Sequence, residues 1–268
     1  MRGYSAHLDI IHRVLLLLLV AHVSTCETIR SVGGSFRRAV GVTYLSSLAV
    51  LTPLILRSNH DDNLREKALK TQLFSAIRPN SRVLEIGFGS GGGANMDYYP
   101  AHAGVAVTGL DQKIIESDLN TIRKKYSAGG VSLEALVAGG AESLSQIFPR
   151  ASFDVVVGTL VMCSVRDPER VLTEIAKVLK PGSGLFLSVE HVHAAKTDSA
   201  LLARTQELLD PLQQVVADNC HLTRRTDELF ATLGPRLGLR LESCDPVFFP
   251  SQFPICSQVY SRLRAEDK

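Results

Sequence analysis

From residue 82 onward, short apolar runs alternate with stretches in which apolar residues recur every three to four positions. The short β-branched runs predict buried strands, and the longer periodic stretches predict amphipathic helices. Strands are predicted at residues 82–85, 105–110, 133–137, 153–159, 184–190, 239–244 and 257–263. Alternation of strands and helices is typical of βαβ units, in which the strands are parallel.

The helix between the fourth and fifth strands has the clearest boundaries. Asp167 is a good N-cap, Pro168 suits the first helical position, and the Pro181-Gly182 pair ends the segment. Further helices are predicted at residues 200–217 and 223–233. The last two strands are joined by the proline-containing segment 245–254, and a link this short allows an antiparallel edge. The fold prediction is α/β and Rossmann-like, with a seven-stranded, mostly parallel sheet and helices on both faces.

Composition limits the functional classes that fit the chain. Apolar residues make up 45% and charged residues 21% of the 268 positions, which is ordinary for a folded domain. A net charge of +2, without a basic stripe, argues against nucleic acid as a partner. The five cysteines include no closely spaced pair of the kind found in zinc knuckles or redox motifs.

Residues 1–60 differ in composition from residues 61–268, and we expect them to form separate regions. The first 60 residues contain six arginines and no lysine. Two of those arginines precede the apolar run 14–21, and a serine and a threonine follow it, which is the order of regions in a secretory signal peptide. The run is shorter than the roughly 20 residues that span a bilayer.

A second apolar stretch, residues 39–56, is diluted by serine, threonine and proline, and it resembles an interfacial helix more than a membrane span. An arginine-bearing, acid-poor start also fits a mitochondrial presequence. The sequence leaves three readings open: a signal or anchor for the endoplasmic reticulum or secretory pathway, a mitochondrial presequence, and an ordinary cytosolic N-terminus. In the first reading the N-terminal region contacts a membrane surface.

A glycine-rich loop follows the first predicted strand directly, in the segment Glu85-Ile86-Gly87-Phe88-Gly89-Ser90-Gly91. Glycine lets the backbone turn tightly and approach a ligand without a Cβ in the way. Glu85 places an acid where a dinucleotide-binding loop faces an anionic pyrophosphate, so a cationic ligand group suits this loop better.

Two further segments have the spacing of a nucleoside site. Asp111 ends the second predicted strand, where its carboxylate can accept hydrogen bonds from both ribose hydroxyls. Gly139-Gly140-Ala141-Glu142 ends the third strand, and its small side chains and backbone suit an adenine ring.

With these motifs in this order, about residues 80–192 resemble the class I S-adenosylmethionine-dependent methyltransferases with a methyltransferase type 11 domain. The segments 153–157 and 178–182 belong to the same pattern, although Ser183 stands where glycine is usual. The resemblance implies S-adenosyl-L-methionine as cofactor. It also implies the cofactor-binding residues Glu85, Gly87, Gly89, Gly91, Asp111, Ala141, Glu142, Thr159 and Leu160.

Segments 158–165, 189–192, 209–211 and 219–224 are similar to the methyltransferase-like thiol S-methyltransferases of endoplasmic reticulum and lipid droplets. That resemblance implies a small thiol or lipophilic acceptor and an apolar N-terminal anchor. The mechanism implied is in-line displacement at the sulfonium methyl by a sulfur nucleophile, in which alignment and desolvation supply most of the rate.

The candidate bases or acceptor-orienting groups are His191, Glu190 and Asp210, with His221 more distant. Each also has a structural interpretation: Asp210 as a cap or a structural pairing partner, Glu190 as the partner of an arginine, and His191 as a buried core residue. Cys163 and Cys220 could line the acceptor pocket, but we expect them to be buried packing residues. No metal site is expected, because the histidines do not fall at ligand spacing.

Three alternatives remain. The same fold serves C- or O-methylation of a quinone or lipid. A cofactor-binding but catalytically silent membrane or lipid-droplet interaction protein is a non-enzymatic reading. Hydride transfer with a nicotinamide cofactor is the third.

Overall fold

The computed structural model describes residues 59–89, 93–113, 119–194 and 200–267. Residues 61–268 form one compact unit. The interpretations of the apolar stretches 14–21 and 39–56, and the cofactor role of Gly91, fall outside the described residues and stay predictions. Within the described part of the chain, no helix is long and apolar enough to cross a membrane.

Seven strands form one sheet in the order β3-β2-β1-β4-β5-β7-β6. The first five strands pair in parallel, and β7 pairs antiparallel with both β5 and β6. The strands are β1 (Arg82–Ile86), β2 (Ala106–Asp111), β3 (Ser132–Ala138), β4 (Val155–Thr159), β5 (Leu185–His191), β6 (Leu239–Phe248) and β7 (Ser257–Ala265). The α/β prediction with an antiparallel C-terminal edge is confirmed.

Helices cover both faces of the sheet, so its central strands are buried on both sides. The helices are α1 (residues 59–74), α2 (Leu119–Ala128), α3 (Leu144–Ile147), α4 (Pro168–Val178), α5 (Ala200–Val216) and α6 (Thr226–Thr232). Neighbouring residues of a strand point to opposite faces. Val83 accordingly packs with Phe74 at the end of α1, and Leu84 packs with Ile175 of α4. A strand that is buried on both faces has a continuous run of apolar residues, and this run allows the strand to be predicted from the sequence.

The α4 boundaries follow the prediction. The Asp167 carboxylate accepts a 2.9 Å hydrogen bond from the Arg170 N–H, and Pro168 is the first helical residue. Val171, Leu172, Ile175 and Val178 form the buried face of the helix. The cap and the apolar stripe therefore place α4 against the sheet beside β4.

Two predicted boundaries differ from the observed ones by three residues or more. Strand β6 continues beyond residue 244 to Phe248, and its Pro246 pairs with Val259 of β7. Proline is tolerated there because β6 is the edge strand of the sheet. Helix α6 begins at Thr226 rather than at residue 223, because the residues before it contact α5 and the loop after β4.

Candidate functional site

The parallel strand order reverses at β1. Strand β1 lies between β2 and β4, so the connections after β1 and β4 leave the sheet on opposite sides. In open α/β sheets, ligands bind in the crevice at the carboxyl ends of the strands at such a point. The candidate cofactor residues that the structure describes lie at or just after the carboxyl ends of β1, β2, β3 and β4, and the fold therefore brings them to one edge.

The glycine loop after β1 needs glycine for two different reasons. Gly87 has φ +67°, and a Cβ on it would lie 2.1 Å from Cγ2 of Val161 in the loop after β4. Gly89 has φ +77°, but a Cβ there would meet no atom of the described residues within 4 Å. The loop is thus packed against the protein at Gly87 and borders open space at Gly89, where a ligand can approach the backbone.

Glu85 is buried in a polar pocket beneath this loop. Its carboxylate accepts hydrogen bonds from Asn95 Nδ2 at 2.9 Å and from the Tyr99 hydroxyl at 2.7 Å. Burial raises the pKa of Glu85 to about 7, although the hydrogen bonds from Tyr99 and Asn95 oppose that rise. Asn95 Nδ2 also donates to Thr159 Oγ1 at 3.0 Å, so Glu85 is connected to the end of β4.

Asp111 links the end of β2 to the glycine loop. One carboxylate oxygen accepts the Gly89 N–H at 2.8 Å, and the other accepts the Lys113 N–H at 2.8 Å. Each oxygen of an ionised carboxylate has a second lone-pair site. The contacts therefore fix the carboxylate while leaving acceptor capacity for a pair of ribose hydroxyls.

Ala141 and Glu142 lie in a short 3₁₀ turn, Ala141–Ser143, just after β3. Ala141 is buried. The Glu142 carboxylate accepts the Arg166 N–H at 3.1 Å, and its carbonyl accepts a hydrogen bond from Arg170 Nε at 2.8 Å. Glu142 therefore connects the end of β3 with the segment between β4 and α4.

Leu160 follows β4 in a left-handed backbone conformation, with φ +58°. Its N–H donates to the Val189 carbonyl of β5 at 2.8 Å. A left-handed conformation is uncommon for leucine and costs of order 1 kcal/mol, so surrounding contacts must hold it in place. The turn at Leu160 directs the following loop, residues 161–165, over the end of β5.

Glu190 holds that loop from below. The side chain is fully buried, and it accepts hydrogen bonds from the N–H groups of Val161 at 3.2 Å and Cys163 at 3.1 Å. Burial raises the pKa of Glu190, while the N–H groups of the loop oppose that rise. These contacts are those of a structural carboxylate. It binds backbone N–H groups rather than the arginine expected from the sequence, and its role as a base stays a prediction.

His191 lies at the end of β5 between two cysteine sulfurs. Its Nδ1 is 3.4 Å from Cys220 Sγ and 4.0 Å from Cys163 Sγ, and the two sulfurs are 3.6 Å apart. All three side chains are buried, and their ligand atoms lie within 4.8 Å of one another. Spacing along the sequence did not predict this cluster, since 28 residues separate Cys163 from His191 and 29 separate His191 from Cys220.

Asp210 of α5 holds the segment that follows the helix. Its carboxylate accepts the N–H groups of Leu222 and Thr223, and it also accepts a 2.7 Å hydrogen bond from Gln214. His221 Nδ1 lies 3.7 Å from the same carboxylate. Burial and the nearby Arg224 lower the pKa of His221. Asp210 thus organises a loop, as its structural interpretation predicted, and its role in acceptor binding is still a prediction.

Sequence reasoning missed three residues that organise the site: Asn95, Tyr99 and Arg224. Asn95 and Tyr99 follow the glycine loop closely in the sequence. A buried acid such as Glu85 needs polar partners, and that need was the one signal that could have pointed to these two residues. Arg224 donates to the carbonyls of Met162 at 2.6 Å and Val165 at 2.5 Å. Because 62 and 59 residues separate these partners, only the tertiary structure brings them together.

Comparison with known proteins identifies the family to which this arrangement belongs. A family model described as a methyltransferase domain matches residues 84–187. The thiol S-methyltransferase TMT1B of Rattus norvegicus is 36% identical over 166 residues, which cover 59% of this chain and 63% of that protein. The chain therefore spans slightly less than two thirds of the rat relative.

The thiol S-methyltransferase TMT1B of Homo sapiens is 32% identical over 184 residues, covering 67% of this chain and 69% of the human protein. Among solved structures, an S-adenosylmethionine-dependent methyltransferase from Methanosarcina mazei superposes with a TM-score of 0.50 at 20% identity. That match covers 72% of this chain and 96% of the archaeal one, and it supports the fold.

Proposed function

Because the chain belongs to the S-adenosylmethionine-dependent methyltransferases, we propose that it transfers the cofactor's methyl group to the sulfur of a small, apolar thiol. The observation that carries the proposal is the identity of 32–36% to thiol S-methyltransferases. The human match spans 69% of that protein, so the similarity extends beyond the methyltransferase-domain segment 84–187.

S-adenosyl-L-methionine is the cofactor of this family, and the residues at the strand ends fit it. The Asp111 carboxylate has acceptor capacity for ribose hydroxyls, and the loop at Gly89 borders open space. Glu85 and Thr159 are joined through Asn95 at the base of the same site. When bound, the cofactor supplies an electrophilic methyl group on a sulfonium.

The chain itself must align the acceptor and keep water away from it. The loop 161–165 is held by Glu190 from below and by Arg224 from the side. A rigid loop beside the cofactor end of β4 limits the directions from which an acceptor can approach. A thiol with a pKa of about 8.5 is a few per cent ionised at neutral pH, so modest assistance with deprotonation is enough.

The test uses purified full-length chain, S-adenosylmethionine labelled in the methyl group, and two acceptors of equal carbon number: an alkyl thiol and the matching alcohol. We expect a labelled thioether from the thiol and no ether from the alcohol. Labelled product from the alcohol, or from a quinone or lipid extract, without thioether formation would contradict the thiol proposal. An Asp111→Ala variant is the negative control, and an Asp97→Ala variant at an exposed position is the matched control.

We further propose that the chain associates with a membrane surface of the endoplasmic reticulum or secretory pathway, with mitochondrion as the alternative. Two features support this. The apolar runs 14–21 and 39–56 precede the catalytic unit. Helix α5 also carries an exposed apolar stripe, formed by Leu201, Leu208, Leu212 and Val215.

Cell fractionation combined with mass spectrometry of the native N-terminus tests this second proposal. Recovery with microsomal membranes is expected. Recovery in the soluble cytosolic fraction with an intact N-terminus would contradict it. The result is independent of the acceptor assay.

A further inference from the structure

Three segments that are distant in sequence place soft metal ligands together. Cys163 lies in the loop after β4, His191 ends β5, and Cys220 follows α5. Their solvent-exposed fractions are 0%, 4% and 4%. The cluster is therefore formed by the fold and closed to bulk water, in contrast to groups that meet by chance at a surface.

The distances match one face of a zinc coordination tetrahedron. Zn–S bonds of about 2.3 Å and Zn–N bonds of about 2.0 Å, at tetrahedral angles, place ligand atoms about 3.5 to 3.8 Å apart. The three separations in the protein are 3.4, 3.6 and 4.0 Å. An ion can thus be bound with shifts of a few tenths of an ångström.

The hydrogen bonding of His191 also favours a metal ion at this cluster. Among the described residues, Nε2 is buried without a hydrogen-bond partner, and the two sulfurs are the recorded neighbours of Nδ1. A buried imidazole normally has an oxygen or nitrogen partner on at least one ring nitrogen. A metal ion at Nδ1 would replace two weak sulfur contacts with a coordinate bond.

Charge is also favourable. Two thiolates and a neutral imidazole compensate a divalent ion, so the loaded centre would be neutral in a buried position.

We propose that Cys163, His191 and Cys220 bind one zinc ion, leaving its fourth coordination position to a small non-protein ligand. Binding releases the two thiol protons to solvent and forms two Zn–S bonds and one Zn–N bond. In the described part of the chain, no fourth cysteine, histidine or carboxylate joins the group. The ion joins the loop after β4, the end of β5 and the segment after α5, which are the elements on the acceptor side.

The experiment measures metal binding directly and does not depend on the methyl acceptor. Full-length protein is stripped with a chelator under reducing conditions and titrated with zinc chloride, and then in parallel with cobalt chloride. We expect one equivalent of zinc per chain. The cobalt form should show tetrahedral d–d absorption and a sulfur-to-cobalt charge-transfer band.

Variants assign the ligands. Cys163→Ser, Cys220→Ser and His191→Gln should each weaken zinc binding by at least 10-fold. Cys256→Ser is the matched control, because Cys256 is equally buried but lies outside the cluster, and it should bind zinc like the wild type. Circular dichroism and S-adenosylmethionine binding check that each variant is folded.

A second measurement needs no variant. Zinc should protect Cys163 and Cys220, but not Cys244 or Cys256, from alkylation in mild denaturant, as read by peptide mass spectrometry. Failure to bind zinc at millimolar concentration would overturn the proposal, as would full binding by a Cys163→Ser/Cys220→Ser double variant. A Cys163–Cys220 disulfide in protein purified without oxidant would also overturn it, in favour of a redox pair.

Discussion

The two sides of the site are built in different ways. On the cofactor side, the ends of β1 and β2 are connected by contacts close in sequence: Gly89 and Lys113 bind Asp111, and Asn95 and Tyr99 bind Glu85, over separations of 2 to 22 residues. On the proposed acceptor side, the contacts that hold the loop 161–165 to β5 and to the segment after α5 join residues 27 to 62 positions apart, such as Cys163 with Glu190 and Met162 with Arg224. The first side can be recognised as a motif, whereas the second exists only when the fold is complete.

If the loop 161–165 on the proposed acceptor side depends on its long-range contacts, replacing the Glu190 carboxylate should cause the largest loss in the free energy of unfolding. Glu190→Gln keeps one acceptor oxygen but turns an amide –NH2 toward buried N–H groups of the loop 161–165, and each N–H left without an acceptor costs about 1 to 3 kcal/mol. We expect a loss of about 3 to 5 kcal/mol in the free energy of unfolding, measured with urea.

The exposed Glu134→Gln substitution is the control for this loss. A Glu190→Gln protein with wild-type stability but no methyl transfer would assign Glu190 the role of a base instead of a loop support. That result would contradict the idea that long-range contacts of Glu190 hold the proposed acceptor side together.

The buried acid of the cofactor side should produce a stability change with pH. Glu85 has a pKa of about 7 in the folded protein against an ordinary value of 4.5, so the native state keeps the proton to higher pH than the unfolded chain. Its stabilising contribution is complete below about pH 4.5 and is lost as the pH rises through 7, a change of about 3 kcal/mol.

Glu85→Gln removes that titration. Relative to the wild type, the variant should therefore gain about 3 kcal/mol between pH 4.5 and pH 7 in urea unfolding. Asp97→Asn, at an exposed position, should give a curve parallel to the wild type. Parallel curves for Glu85→Gln would show that the carboxylate is not held in its neutral form.

Asp111→Ala tests the cofactor side through binding. Loss of two charge-assisted hydrogen bonds to ribose hydroxyls predicts an affinity for S-adenosylmethionine at least about 100-fold weaker, measured by calorimetry. Asp97→Ala should bind as the wild type does. Unchanged affinity of Asp111→Ala would mean that the carboxylate serves only the Gly89 and Lys113 N–H groups.

The smallest effect is expected at Asp210. In Asp210→Asn the side-chain oxygen can still accept the Leu222 N–H, while the amide group faces the Gln214 amide and His221. We expect a loss of about 1 to 2 kcal/mol in unfolding free energy and unchanged cofactor affinity. A large change in the KM for the thiol without loss of stability would instead place Asp210 in the acceptor site.

The sequence by itself determined the seven strands of the sheet, three of its helices (α4, α5 and α6) and the glycine loop. Strands buried on both faces must be apolar, Asp167-Pro168 must begin a helix, and Gly87 and Gly89 must adopt positive φ, so each leaves a local signature. The sequence left the limits of β6 and α6 open, because the first depends on pairing with β7 and the second on contacts with α5.

Only the tertiary structure decided what surrounds the candidate catalytic residues. Whether Glu190 pairs with an arginine or with backbone N–H groups depends on where the loop 161–165 crosses β5. Likewise, Cys163, His191 and Cys220 show no ligand spacing along the chain, because the ends of β4, β5 and α5 meet only after the sheet has formed. Turns, caps and strand patterns depend on residues that are neighbours in the sequence, so they can be predicted from it. Side chains on separate elements become partners only when those elements pack together.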